Sequence, residues 1–393
     1  MSLADETADI VVIGLGAAGA ACAHRLARRG ARVIALDRGH PPHDAGSSHG
    51  ESRITRQAIG EGDDYVPLAL RGHALWREME AETGQTLMMP VGALVIGRVD
   101  DGSAHPGKPH FVRETIGAAR RFAIPHEVIS PDEALRRFPA LRLRGDESVY
   151  FEPGAGLLLA ERCVAAQIKL ARRHGALIRP GETAVEIETT ACGVRIVTNR
   201  GAYAAGQAVV AAGPWAANGL LAGDGPPPLS VYRQVMHWFE AEDPASFAPG
   251  RFPVFIWMHG QAPDDWFYGF PQLPGAAGLK IADERFDQRL PGPHAQSQDI
   301  DPGAAAAMWR RHVAPRIAGV SDRCVRSSAC RYTMAPGSRF LIGRLPGRER
   351  VILVSACSGH GFKHSAAIGD LVAELATETT PLLLLAPFAL AGS

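Results

Sequence analysis

The chain opens on Asp9-Ile-Val-Val-Ile-Gly14-Leu-Gly16-Ala-Ala-Gly19, and no other stretch restricts its fold as much. An apolar run of buried-strand length meets three glycines. Ala20–Arg29 then reads as a helix that Gly30 stops, and Val33-Ile-Ala-Leu-Asp37 reads as a second strand ending in an acid. Gly14 permits a tight turn, Gly16 lets backbone approach a pyrophosphate, and Gly19 lets the helix pack closely on the strand. The turn, with Ala17 and Ala18 in it, then aims free N–H groups and the positive helix end at phosphates. Asp37, eighteen residues beyond Gly19, is spaced to accept hydrogen bonds from an adenosine ribose. These are the marks of a dinucleotide-binding βαβ unit, and they do not by themselves choose between NAD and FAD.

At 393 residues the chain is long enough for two cores, so a nucleotide domain plus a second domain is expected. Lys+Arg and Asp+Glu balance at 41 each, which removes any electrostatic argument for nucleic acid or an anionic membrane surface and favours a small-molecule partner. The acidic start leaves no room for a secretory leader, and the apolar Pro381–Leu390 stretch is too short to span a bilayer, so the expected location is the cytoplasm. Six scattered cysteines without a Cys-x-x-Cys pair suggest neither a zinc site nor a disulfide framework. Fifteen histidines show no His-x-x-x-His spacing on a convincing helix, and no metal is expected.

Arg38–Arg56 is too rich in Gly, Pro and Ser for a regular element, and a long polar loop beside a nucleotide site is often functional. Helices are expected over Tyr65–Thr83, Phe111–Phe122, Pro131–Phe138, Leu157–His174 and Ser365–Thr377. Two β runs, Ala184–Glu188 and Val194–Thr198, lead into the apolar strand Gln207–Ala212 and then Gly213-Pro-Trp215. This return to the nucleotide domain through a β-meander favours FAD over a nicotinamide. From Pro226 to about Gly319 the pattern is mostly β, with Tyr232, Trp257, Trp266 and Tyr268 available to line a substrate cavity. Near the end, a strand from Val351 runs into Cys357-Ser-Gly359-His360-Gly361-Phe362-Lys363 and a helix, a second helix-terminus site, here aimed at the flavin ring.

Gly46-Ser47-Ser48-His49-Gly-Glu-Ser-Arg53-Ile-Thr-Arg56, Glu61–Arg71, Tyr268-Gly-Phe-Pro, Gly278-Leu-Lys280, Cys330-Arg-Tyr332-Thr and Ser358–Lys363 together resemble, in order and over nearly the whole chain, the family of monomeric sarcosine oxidase and N-methyl-tryptophan oxidase. The resemblance implies a two-domain α/β flavoprotein: a Rossmann-like FAD-binding domain (1–90, 145–222 and 322–385) and a substrate domain on a mainly antiparallel β-sheet (91–144 and 223–321). It also implies a monomeric FAD oxidase of secondary amino acids that uses O2, with FAD tied covalently to Cys330. A thiolate is a competent nucleophile there, and nearby arginines such as Arg331 would lower its pKa. Lys280 matches the family's oxygen-activating lysine, because a fixed cation stabilises negative charge developing on O2. Arg56 and Lys363 match the pair that holds the substrate carboxylate, and His49 and Arg53 match positive groups beside the flavin. Tyr268, Ile256 and Tyr332 fall at the substrate cavity. Val185, Gly213 and Trp215, with Arg38 and the 357–363 segment, fall along the cofactor.

Three positions depart from that pattern. Glu284 stands where the family has an active-site histidine, Ile256 where sarcosine oxidase has a methionine, and Cys357 where a large aromatic is usual. A carboxylate at 284 would reverse the local charge and suit a larger or cationic amine, unless a shifted strand turns it to solvent.

Overall fold

The computed structural model describes residues 6–100, 102–217, 220–221, 227–292, 294–295, 299–379, 383 and 385–390. Residues 1–5, Pro226 and part of the Pro381–Leu390 stretch, on which the sequence raised expectations, lie outside the described residues.

Strand Glu6–Ile13, helix Ala17–Arg28 and strand Val33–Asp37 follow in order. The helix starts three residues earlier than its apolar pattern suggests, because the glycines turn the chain so sharply. Gly14 has φ +92°, and a Cβ on Gly19 would fall 1.8 Å from the Gly14 carbonyl oxygen, so helix and turn meet backbone to backbone. The strands Arg348–Ser355, Ala202–Val210, Glu6–Ile13, Val33–Asp37 and Leu177–Pro180 lie side by side and parallel. Ala184–Thr189 and Val194–Thr198 add the antiparallel meander, and Leu341–Leu345 completes an eight-stranded sheet. The alanine-rich face of Ala17–Arg28 packs against helices Ser365–Ala376 and Ala160–Arg173, closing the main core.

A second sheet has nine strands. Its longest ladder joins Ser230–Ala241 to Val320–Met334. From the other edge of Ser230–Ala241 the order runs through Leu279–Ala282, Trp266–Gly269, Val254–Met258, Ala93–Gly97, Ser148–Glu152 and Glu127–Ile129. Every pairing is antiparallel except that of Ala93–Gly97 with Val254–Met258. Ser52–Thr55, Gly156–Leu159 and Met88–Met89 form a third, three-stranded sheet. The chain is thus an α/β fold on two large sheets and one small one, and no helix among the described residues is long and apolar enough to cross a membrane.

Two expectations need correction. Leu157–Leu159 belongs to strand Gly156–Leu159 rather than to the following helix, which spans Ala160–Arg173. Its partner is Ser52–Thr55, inside the stretch that reads as a loop, and the ladder between them overrides the composition of both. The mostly β region contains helix Pro302–Met308, started by Asp301, whose carboxylate accepts from Gly303 N–H at 2.8 Å. The second sheet also takes in Ser148–Glu152 and Val320–Met334, whose ladder partners lie there.

The close turn yields a prediction. Gly19→Ala must push backbone apart and should cost about 2 kcal/mol or more. Gly30→Ala, at φ +88° with open space around it, should cost only about 1 kcal/mol of backbone strain. Melting temperatures of the two variants should fall in that order, and the opposite order would refute the contact.

Candidate active site

A cavity of about 490 Å³ begins at the Gly14–Ala18 turn, passes between the two sheets and ends against the second. At the turn end, Ser48 Oγ accepts from Ala17 N–H at 3.0 Å. Asp37 accepts from Leu15 N–H at 2.7 Å and Gly39 N–H at 2.7 Å, with His43 Nε2 at 3.0 Å. Burial works to raise the Asp37 carboxyl, but His43 and the two amides hold it low, so it is an ionised acceptor. Arg38 lies 4.7 Å from the centre of the Trp215 ring. Val185, 56% exposed, and Gly213 line the same end. Gly19 lies behind the turn and supports it.

At the far end, Tyr268, Ile256 and Tyr332 reach the cavity from three neighbouring elements. Trp266 joins them, whereas two other aromatics do not: Trp257 points to the opposite face and donates to Glu147 at 2.8 Å, and Tyr232 packs on Phe286. Strand alternation explains the split, since Ile256 and Trp257 are adjacent. Burial raises the phenols of Tyr268 and Tyr332, which remain protonated donors. Cys357, Gly359, His360, Gly361, Phe362 and Lys363 form one wall.

Arg56 is buried and donates to the Ala58 carbonyl and to Glu61 at 2.5 Å. Glu61 was not foreseen as a site residue. Burial works to raise its carboxyl, but Arg56 and Lys363 hold it well below the usual range. Lys363 Nζ donates to the His360 carbonyl at 2.8 Å, and burial lowers its pKa to about 7 despite Glu61.

Lys280 and Arg53 are the second cationic pair, and backbone alone holds them. Lys280 Nζ donates to the carbonyls of Gly50 at 2.7 Å and Ser52 at 2.6 Å, and sits 3.9 Å from the Phe270 ring centre. Arg53 donates to the carbonyls of Ser52 and Ser47, both at 2.8 Å. Neither forms an ion pair among the described residues. Burial, then Arg53, pushes the lysine well below its usual value. Arg53 lines the cavity; Lys280 stands directly behind Phe270.

Two expectations change here. His49 does not line the cavity, and burial lowers it to about 4, so at neutral pH it adds no positive charge. Cys330 is buried among Met236, Trp238 and Ala282. Burial raises its thiol, with Arg53 and not Arg331 as the main opposing group. Arg331 alternates to the other face, where it donates to the Ala45 carbonyl.

Glu284 faces the cavity and not solvent. Its Oε2 accepts from Lys108 Nζ at 2.6 Å and lies 2.9 Å from His105 Nε2, while Oε1 accepts from the Tyr332 hydroxyl at 3.4 Å. A Cβ on Gly359 would come 3.2 Å from Oε1, which places the carboxylate against the 357–363 wall. Burial works to raise the Glu284 carboxyl; Lys108 and His105 outweigh it and bring it from 4.5 to about 2. Lys108 and His105 carried no sequence signal, since they sit in an aperiodic Gly/Pro segment far along the chain from Glu284.

Away from the cavity, His24, Glu82 and His174 bring metal-ligand atoms within 4.8 Å of one another, a grouping their sequence spacing did not reveal. Arg28 at 3.3 Å and Arg173 at 3.5 Å already pair with Glu82 there.

The profile of the family described as FAD dependent oxidoreductase matches residues 9–375. The chain belongs to that family. It is 36% identical to monomeric sarcosine oxidase of Streptomyces avermitilis, covering 98% of this chain and 99% of the relative. It is 34% identical to N-methyl-L-tryptophan oxidase of Yersinia pestis, covering 98% of each. Among solved structures it is similar to the open form of NikD, an unusual amino acid oxidase essential for nikkomycin biosynthesis, at TM-score 0.83 and 27% identity over 98% of this chain and 97% of that one. The cavity suits the family's cofactor: Trp215 Nε1, Thr333 Oγ1 and His360 Nδ1 belong to residues lining it and have no hydrogen-bond partner among the described residues.

The Lys108–Glu284 pair generates a stability prediction. Lys108→Met leaves a buried carboxylate uncompensated and should cost about 3 kcal/mol or more. Adding Glu284→Gln should recover part of that loss. Because the folded carboxyl is depressed, its contribution is complete above 4.5 and disappears as pH falls toward about 2. The gap between wild type and Lys108→Met in thermal unfolding should shrink over that range, and a pH-independent gap would contradict the pairing.

Proposed function

We propose that the protein is an oxidase of secondary amino acids, N-methyl or cyclic, that converts the C–N bond to an imine and O2 to H2O2. The observation that carries this reading is the pair Lys280 and Arg53, two cations beside the cavity that backbone carbonyls hold and that form no ion pair among the described residues, Glu51 and Glu161 acting on Lys280 only from a distance. Burying such charge is costly, and an electron-accepting ring that becomes anionic on reduction, followed by O2, gives it a purpose. Bound FAD supplies the two-electron acceptor.

The chain's own groups supply the rest. Lys363 and Arg56 orient the substrate carboxylate, Lys363 gaining charge as the carboxylate arrives because an anion raises its depressed pKa. Tyr268 and Tyr332 donate hydrogen bonds, and Ile256 with Trp266 gives the cavity an apolar side that excludes water. Cys330 is the proposed point of covalent attachment; among the described residues its sulfur's one hydrogen-bond partner is its neighbour's carbonyl, at 3.8 Å. Six unpaired cysteines fit a reducing cytoplasm, and the name of the Streptomyces relative supports a monomer. The cationic-amine alternative is weakened, because Lys108 already neutralises Glu284.

Two measurements test the reading. Purified protein given N-methyl and cyclic amino acids in air should release peroxide; anaerobic bleaching of the flavin without reoxidation by air would favour a dehydrogenase. After acid precipitation, yellow colour should stay with the wild-type pellet and leave with Cys330→Ser. Flavin that washes out of wild type would remove the covalent assignment.

A further inference from the structure

Lys108 stands at the end of the catalytic cavity, and it also lines a second, adjoining cavity of about 220 Å³. Its ammonium carries three donors. Among the described residues Glu284 is its one hydrogen-bond acceptor, and the rings of Trp266, 3.9 Å away, and Phe111, 5.9 Å away, lie beside it. Donors therefore remain at a point where two cavities meet.

Glu284 is differently placed. Lys108 and His105 approach one of its oxygens and the Tyr332 hydroxyl the other. A cationic substrate group would have to displace Lys108 to reach it.

The charges around this end point the same way. Arg53, Arg56, Lys108 and Lys363 face it as cations, with Glu61 and Glu284 as the carboxylates. Arg56 pairs with Glu61 and Lys108 with Glu284, leaving Arg53 in excess and Lys363, which burial lowers to about 7, able to gain charge as an anion arrives. One substrate carboxylate offsets one of these. A second carboxylate would meet remaining positive charge together with the spare donors of Lys108.

We infer that Lys108 is the cationic end of a side-chain subsite, and that the site takes a secondary amino acid whose side chain carries a second carboxylate. The inference rests on reading the cavity as an amino acid site. Glu284 then serves as a positioning residue that holds Lys108 over Trp266, and His105 braces Glu284 from behind.

The test is a titration of the FAD-loaded protein with succinate and with butyrate, equal in carbon count and different by one carboxylate, followed by the change in flavin absorbance. Turnover is not required, so absence of peroxide release would count against the proposed oxidase activity and leave this result standing. Wild type should bind succinate about tenfold more tightly than butyrate, the scale of one charge-assisted hydrogen bond. Lys108→Arg should keep the preference. The Lys108→Met/Glu284→Gln double variant, which leaves no lone buried charge, should lose it while keeping its affinity for butyrate. Equal binding of the two acids by wild type, no binding of either, an unchanged preference in the double variant, or tighter binding of 4-aminobutyrate than of butyrate would each overturn the inference.

Discussion

The rest of the site depends on one costly arrangement, a buried lysine and a half-buried arginine held by backbone carbonyls, neither of them in an ion pair among the described residues. Lys280 rises from strand Leu279–Ala282 into the Gly50–Ser52 turn, and Arg53 folds back on the same turn from the other side. Carbonyl dipoles solvate the charges in part, but a buried ammonium with a strongly lowered pKa shows that solvation is incomplete. The arrangement also ties the second sheet to the loop that follows the nucleotide-binding unit, so the cation and the cofactor turn are positioned by one set of contacts. Loss of either partner would disturb both.

The carboxylates are handled in the opposite way. Glu61 and Glu284 each receive a dedicated cation, Arg56 and Lys108, at 2.5 and 2.6 Å. Acid charge is thereby cancelled locally, and positive charge is left to act on whatever enters the cavity. This division places positive charge without an ion-pair partner next to Phe270 and Phe362. It also explains how a carboxylate can stand at position 284 without spoiling an anion-binding site.

Much of this was legible in the sequence, for local reasons. The βαβ unit is readable because Gly14, Gly16 and Gly19 each answer a backbone constraint within a dozen residues of strand and helix. The antiparallel sheet is readable because its strands are short apolar and aromatic runs that end at Pro, Gly or Asp clusters. Lys280 drew attention as a lysine in an apolar strand, and Arg56 and Lys363 through the motifs around them. What escaped depends on pairs distant along the chain. Lys108 finds Glu284 across 176 residues, and nothing near either residue announces the other. The thiol environment of Cys330 was misjudged because strand alternation turns Arg331 away, and His49 because its burial could not be read from a Gly/Ser-rich loop. Strand Val320–Met334 was not foreseen, since exposed Asp322, Arg323 and Arg326 interrupt its apolar pattern.

The central claim is that buried positive charge at Lys280 exists for the reaction of the reduced cofactor with oxygen. The most direct measurement reduces the flavin of the loaded enzyme chemically, without substrate, and mixes it with O2 in a stopped-flow instrument. Lys280→Met should reoxidise about a hundredfold more slowly than wild type, the scale of removing one preorganised electrostatic contact. Reoxidation at the wild-type rate would show that the lysine is structural and that the account of the site is wrong.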